Sequence, residues 1–287
     1  MTAARDYADA MLRRAVIAGL VASCVLLPAG TASGAAMSAA RAKAFVEQIA
    51  AAGPRVAGSP NERRAARLVA AGLRKLGYPV TIQTFPLPRG GTSRNVVART
   101  AGPIRVVVVA HIDGVRAGPA ANDNGSGVAA MLEVAAALEG REGVLLAAVG
   151  AEERHETGSS IHLGSARLVR SLPKRSRPGI RLALSLDMVG VGSTLNVRGI
   201  ERSPNRSSRR AIENGRAIGL DPRYLPDAGV SDHAELTRAG IPAALVTWRW
   251  DACWHASCDR PARVSAKKLM ATARLTVVAA RRALPRP

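Results

Sequence analysis

Aromatic side chains are scarce in this chain: two Phe, three Tyr and three Trp among 287 residues. They do not interleave with the basic residues, and no nucleic-acid-binding motif is present, so a nucleic-acid module is not expected. Lysine is also rare, five residues against 36 arginines, and acidic residues are outnumbered, which leaves a formal net charge of +20. The arginines are scattered, with local groups over 170–181 and 198–216. This charge reads as a compositional bias with some attraction to anionic cell envelopes. Internal repeats and long low-complexity linkers are absent. Cys253 and Cys258 lack the second cysteine pair that a cysteine zinc site needs.

No apolar run is long enough to span a bilayer comfortably. The run from Ala15 to Leu27, preceded by Arg13-Arg14 and followed by Pro28, has the form of a secretory signal. Cleavage after Ser33-Gly34-Ala35 makes residues 1–35 a signal peptide and 36–287 an extracytoplasmic domain without stable membrane insertion. Val21-Ala22-Ser23-Cys24 resembles a lipoprotein box, but the apolar Val25-Leu26-Leu27 argues against anchoring at Cys24. The twin arginines lack the full twin-arginine export motif. With the leader removed, Cys253 and Cys258 are the two remaining cysteines, and they flank His255. An oxidising destination predicts a disulfide between them; the alternative is a pair of free thiols. Nothing in the sequence sets an oligomeric state.

The length suits one larger α/β domain with ample core. Helices are expected over 39–52, 61–76, 127–138, 159–170, 207–218, 232–239 and 266–284, and strands over 80–85, 95–99, 104–110, 144–149, 182–187 and 243–247. Residues 171–179 read as a polar loop. The alternation implies an α/β fold: a mixed, mostly parallel central sheet sandwiched between helices in three layers.

Residues able to bind metal collect where strands end. Val106-Val107-Val108-Val109-Ala110 is a continuous buried run that ends in His111-Ile112-Asp113. Gly143 to Gly150 is another, followed by Glu152-Glu153. Leu182 to Leu186 leads into Asp187-Met188, and the strand after Pro242 leads towards Cys253-Trp254-His255. Ala121-Asn122-Asp123-Asn124-Gly125-Ser126-Gly127 is a turn that opens an apolar helix. Strand ends face the crevice in which open α/β sheets bind ligands. Two adjacent carboxylates there are costly unless a cation or a proton neutralises them.

This ordered set resembles the co-catalytic dinuclear zinc aminopeptidases, the family of the secreted bacterial leucyl aminopeptidases, from about Ala39 to Ala279. The residues that carry the resemblance are His111-x-Asp113, Asp123-Asn124-Gly125-Ser126-Gly127, Glu152-Glu153, Asp187-Met188 and His255. Pro54-Arg55-Val56-Ala57-Gly58-Ser59, Gly158-Ser159, Ser231-Asp232-His233 and Gly240-Ile241-Pro242 add weaker matches. The resemblance implies two Zn2+ per chain. Asp123 would bridge them, His111 and Asp187 would complete one, and Glu153 and His255 would complete the other. Glu152 would be the general base, and Asp113 would hold the second nitrogen of His111. The substrates would be peptides with a free N-terminus. The Asp123-Asn124 peptide bond is expected to be cis.

The chain departs from the pattern in places. Trp254 stands where the family has Tyr, with Tyr224 as a candidate substitute. Arg154-His155-Glu156-Thr157 replaces a small apolar run, with His155 expected at a rim. A capping and hydrogen-bonding role is expected for His233, and a surface or packing place within a helix for His162. The alternatives are a glutaminyl-cyclase-like acyltransferase on the same scaffold, a carboxypeptidase or deacylase, and a non-catalytic binding module. The complete five-ligand set and the intact Glu152 favour the aminopeptidase. The stretch between Glu153 and His255 is already filled by ordinary elements, which leaves no room for the lid domain of the carboxypeptidase type.

Overall fold

A computed structural model describes residues 36–286. The expected leader and its Cys24 alternative lie outside the described residues. In chain order the elements are α1 (Ala39–Ala50), α2 (Pro60–Lys75), β1 (Val80–Pro86), β2 (Thr92–Arg99), β3 (Val106–His111), α3 (Gly127–Ala137), β4 (Val144–Val149), α4 (Arg154–Thr157), α5 (Leu163–Ser171), β5 (Leu182–Leu186), β6 (Thr194–Gly199), α6 (Arg206–Arg216), β7 (Arg223–Pro226), α7 (His233–Arg238), β8 (Ala244–Arg249) and α8 (Ala266–Ala283). No helix among the described residues is long and apolar enough to cross a membrane.

The strands form one sheet in the order β1-β2-β4-β3-β5-β8-β6-β7. Its centre, β4-β3-β5-β8, is parallel. The β1-β2 and β2-β4 pairs on one side and β6-β8 on the other are antiparallel. The fold is therefore a mixed sheet with a parallel middle, as expected. Strands β3 and β4 are buried along their whole length, because helices cover both faces.

Side-chain alternation divides the core in two. Val106, Val108 and Ala110 of β3 pack with α1, α2, α3, α6 and α8, whereas Val107 and Val109 pack with Leu168 of α5 and Leu236 of α7. Val, Leu and Ala fill both layers. Several helices start on side-chain caps: Ser38, Ser59, Asn205 and Ser265 each accept a backbone N–H of the first turn.

Strands β6 and β7 were not expected. Thr194–Gly199 is short and partly polar, and β7 has four residues with no buried side chain, so neither carries a hydrophobic alternation to read. They form because β6 pairs with β8 in a register that places Arg198 opposite Leu245. Helix α5 begins at Leu163, four residues later than expected, and His162 occupies its extended N-cap position. The expected loop 171–179 contains a 3-10 turn at Lys174–Gly179.

Candidate metal centre

His111 is the last residue of β3, Glu152 and Glu153 follow β4, and Asp187 follows β5. The parallel register pairs His111 with Val149, so these strand ends open into the same crevice. Asp123 reaches it from the irregular turn 121–126, whose Asp123-Asn124 peptide bond is cis. That turn is tied down on every side. Asp259 accepts the backbone N–H groups of Asn122 (2.7 Å) and Asp123 (3.0 Å). The Asn124 side chain donates to the Leu186 carbonyl (2.9 Å) and accepts from Gly127 N–H (2.8 Å). A Cβ on Gly127 would stand 2.1 Å from the Leu186 carbonyl oxygen, so only glycine lets α3 start this close to β5. Arg55 is fully buried and donates to the carbonyls of Ile112, Pro119 and Ala120, which clamps the loops around the turn. Burial lowers its pKa to about 10.

Among the described residues, four non-glycines have φ in the left-handed region: Ala120, Ala151, Met188 and His255. One is His255 itself. Ala151 immediately precedes Glu152, Met188 immediately follows Asp187, and Ala120 precedes the Asp123 turn. Such conformations are sparsely populated and persist where surrounding structure enforces them, often at functional sites.

The five candidate ligands meet. Asp123 Oδ1 lies 3.2 Å from His111 Nε2, and Asp123 Oδ2 lies 3.2 Å from His255 Nε2. Asp187 Oδ1 is 3.4 Å from His111 Nε2, and Glu153 Oε2 is 3.1 Å from His255 Nε2. One carboxylate thus faces two imidazoles, and each imidazole faces a second carboxylate. Glu153 Oε1 and Asp187 Oδ1 are buried without a hydrogen-bond partner. Mixed oxygen and nitrogen donors with orphaned buried oxygens suit a divalent cation such as zinc. Three-residue groups able to hold a metal include His111 with Asp123 and Asp187, and Glu153 with His155 and His255.

Charge crowding marks the same place. Burial, reinforced by Glu153, Asp232 and Asp187 and opposed by His111, pushes Glu152 well above the ordinary carboxylate range. Burial and Asp123 raise Glu153 to about 7. Burial also opposes ionisation of Asp123, but His111 and His255 overcome it and hold Asp123 low. Burial likewise works against charge on His255, yet Asp123 and Glu153 raise it to about 10. A cation or a proton is what relieves such a cluster.

Asp113 accepts the backbone N–H groups of Glu152 and Glu153, each at 3.1 Å. Its distance to His111 Nδ1, 3.7 Å, exceeds hydrogen-bond range. The carboxylate therefore anchors the glutamate pair more directly than the imidazole expected from sequence.

Three placements differ from the sequence reading. His162 is neither a surface residue nor inside a helix. It is fully buried, with Nε2 3.5 Å from Glu152 Oε1 and Nδ1 3.4 Å from Glu235 Oε1. The extra turn α4 displaces the start of α5 and carries His162 to Glu152. Tyr224 does not line the cavity; its hydroxyl donates to the Glu201 carbonyl at 2.6 Å. His233 hydrogen-bonds Asp227 (3.2 Å) as expected, but no side chain caps α7. His155 is exposed at the rim, its ring 4.9 Å from that of His255.

Cys253 and Cys258 form a disulfide that closes the loop carrying His255. Sequence reasoning missed Asp259 as the anchor of the Asp123 turn, although it directly follows Cys258 in that loop. It also missed the cavity wall beyond Met188. This cavity, about 410 Å³, is lined by the cluster and by Arg198, Leu245, Thr247, Arg249 and Trp250.

Together the sheet and the carboxylate–imidazole cluster at its strand ends define an α/β protein with a buried site able to hold a divalent cation. The chain belongs to Peptidase family M28, whose model matches residues 95–280. It is 36% identical over 175 residues to Aminopeptidase YwaD of Bacillus subtilis (strain 168), covering 55% of this chain and 36% of that protein. It is 29% identical over 287 residues to Leupeptin-inactivating enzyme 1 of Streptomyces exfoliatus, covering 85% and 63%. The chain thus spans less than two thirds of the length of these curated relatives. Among solved structures, BSAP, a zinc aminopeptidase from Bacillus subtilis, shares the fold with a TM-score of 0.80 at 20% identity, covering 88% of this chain and 96% of that one. A Bacteroides thetaiotaomicron glutaminyl cyclase shares it with a TM-score of 0.74 at 20% identity, covering 85% and 97%.

Proposed function

We propose that this protein is a zinc-dependent aminopeptidase that removes N-terminal residues from peptides, using a dinuclear site with Glu152 as general base. The observation that carries the reading is that Asp123 directs its two carboxylate oxygens at two different imidazoles. Asp123 would then be the shared ligand, with His111 and Asp187 holding one ion and Glu153 and His255 the other. Bound there, zinc would supply Lewis acidity and lower the pKa of a water to about 7.

The remaining steps belong to the chain's own residues. Glu152 is held by Asp113 through its own backbone N–H and that of Glu153. It takes a proton from the attacking water at its carboxylate and later delivers it to the leaving amine. His162 lies between Glu152 and Glu235, at 3.5 Å and 3.4 Å from their carboxyl oxygens, as a buried polar neighbour of the proposed base. Trp250 and Trp254, both more than half exposed, flank the entrance.

The reading includes a leader at residues 1–35 and an extracytoplasmic mature domain from Ala36; the disulfide supports it, since such bonds persist in oxidising compartments. The test is cleavage of aminoacyl-anilides by the purified protein. Chelator-sensitive release from free but not N-acetylated substrates is expected. A second reading, glutaminyl cyclisation, draws on the shared fold of the Bacteroides enzyme. Conversion of N-terminal glutaminyl peptides without anilide cleavage would favour that reading instead.

A further inference from the structure

The cavity wall built by β6 and β8 is cationic. Residues 245, 247 and 249 alternate onto one side of β8, and Arg198 of β6 stands opposite Leu245. Both Arg198 and Arg249 line the cavity that also holds Asp123 and Glu152. Arg198 is half buried, with Nε 3.3 Å from Asp227 Oδ2. Asp227 is shared, since it also meets His233 at 3.2 Å and accepts Gly229 N–H at 2.7 Å. The Nε of Arg198 is buried without a hydrogen-bond partner. Arg249 forms no ion pair among the described residues and rests over the Trp250 ring, 5.0 Å from its centroid. The two arginines repel: burial lowers the Arg198 pKa, Asp227 opposes that, and Arg249 adds to it.

Two like charges beside a cavity, one of them paired with an aspartate that also serves His233 and Gly229 and the other without an ion pair among the described residues, make an anion site for a group that enters from the cavity. Met188, Leu245 and Thr247 line the same cavity and offer aliphatic surface for the stem of a side chain. We propose that Arg198 and Arg249 receive the side-chain carboxylate of an N-terminal Glu or Asp, making the enzyme selective for acidic N-termini. The inference rests on the aminopeptidase reading above. Under that reading two divalent cations balance the carboxylates of Asp123, Glu152, Glu153 and Asp187, and Asp251 is paired with Arg263 at 2.8 Å. The arginines then set the sign of the pocket. A planar guanidinium binds a carboxylate through paired donors. An aliphatic side chain would leave those donors dry and unpaired, and a basic one would be repelled.

The test compares kcat/KM for glutamyl-, aspartyl-, leucyl- and lysyl-anilide with the zinc-loaded full chain, and measures calorimetric binding of free glutamate and leucine. Glutamyl is expected to exceed leucyl about tenfold or more, with lysyl lowest. Arg198→Met and, independently, Arg249→Met should lower the glutamyl-to-leucyl ratio about ten- to hundredfold. The ratio is taken on one preparation, so loss of folded protein cancels. Leucyl-anilide cleaved as well as or better than glutamyl overturns the inference and leaves the aminopeptidase standing. A preference for leucyl-glycine over its amide, without preference for glutamyl-anilide, also overturns it, because the arginines would then bind a C-terminal carboxylate. If no anilide is cleaved, glutamate binding over leucine that is lost in Arg198→Met upholds the pocket and rejects the aminopeptidase. Equal binding of the two amino acids rejects both.

Discussion

The two walls of the cavity are built on different principles. One wall comes from the ends of β3, β4 and β5, the Asp123 turn and the His255 loop, and it is preorganised. Several of its groups are fixed by a second one: Asp123 by Asp259, the glutamate pair by Asp113, and His255 by a disulfide-closed loop. The other wall, from β6 and β8, presents long arginine side chains held by one shared aspartate and one exposed indole. A wall that does chemistry tolerates little displacement, because misplacement by about 1 Å can cost about 100-fold in rate. A wall that chooses between substrates needs only complementary charge and volume, so it is free to vary while the first stays fixed.

That contrast orders the expected effects of substitution. Asp123→Ala should be the most damaging change, since it removes the carboxylate facing both imidazoles. Metal content measured by atomic emission and anilide turnover should fall together. Glu152→Gln should retain metal and lose about 10²- to 10⁴-fold in kcat, the span associated with general acid–base catalysis. Equal metal loss in the two variants would remove the distinction between ligand and base. His162→Gln should lower kcat roughly tenfold with KM little changed, because a buried imidazole beside the Glu152 carboxyl is lost while a polar side chain is kept at that place. Equal changes in kcat and KM would mean that His162 acts only by packing. The Cys253→Ser, Cys258→Ser pair should cost roughly 2 kcal/mol in chain-entropy terms, read by denaturant unfolding. The same pair should loosen metal on the His255 side more than on the His111 side.

The same contrast decided what could be read from the sequence. The chemical wall follows from local patterns. Val106 to Ala110 is a continuous apolar, largely β-branched run typical of a buried strand, so His111 falls at its end, and Glu152, Glu153 and Asp187 follow their strands in the same way. The selective wall depends on long-range pairing. Nothing local distinguishes Arg198 from the other arginines, and only the β6–β8 register places it opposite Leu245. His162 was misplaced for a related reason. Its neighbourhood reads as helical, but α4 ends at Gly158 in the left-handed region and α5 starts afresh at Leu163. Tyr224 lies near the Ser231-Asp232-His233 loop in sequence, yet β7 forms the sheet edge and keeps its hydroxyl on Glu201.

The central claim is that one carboxylate, Asp123, is shared between two metal positions. The most direct test is a zinc titration of the demetallated protein, followed by competition with a chelating indicator. The account predicts about two zinc ions bound per chain, with both positions weakened in Asp123→Ala. A single tight zinc, or two whose affinities respond independently to Asp123→Ala, would contradict it.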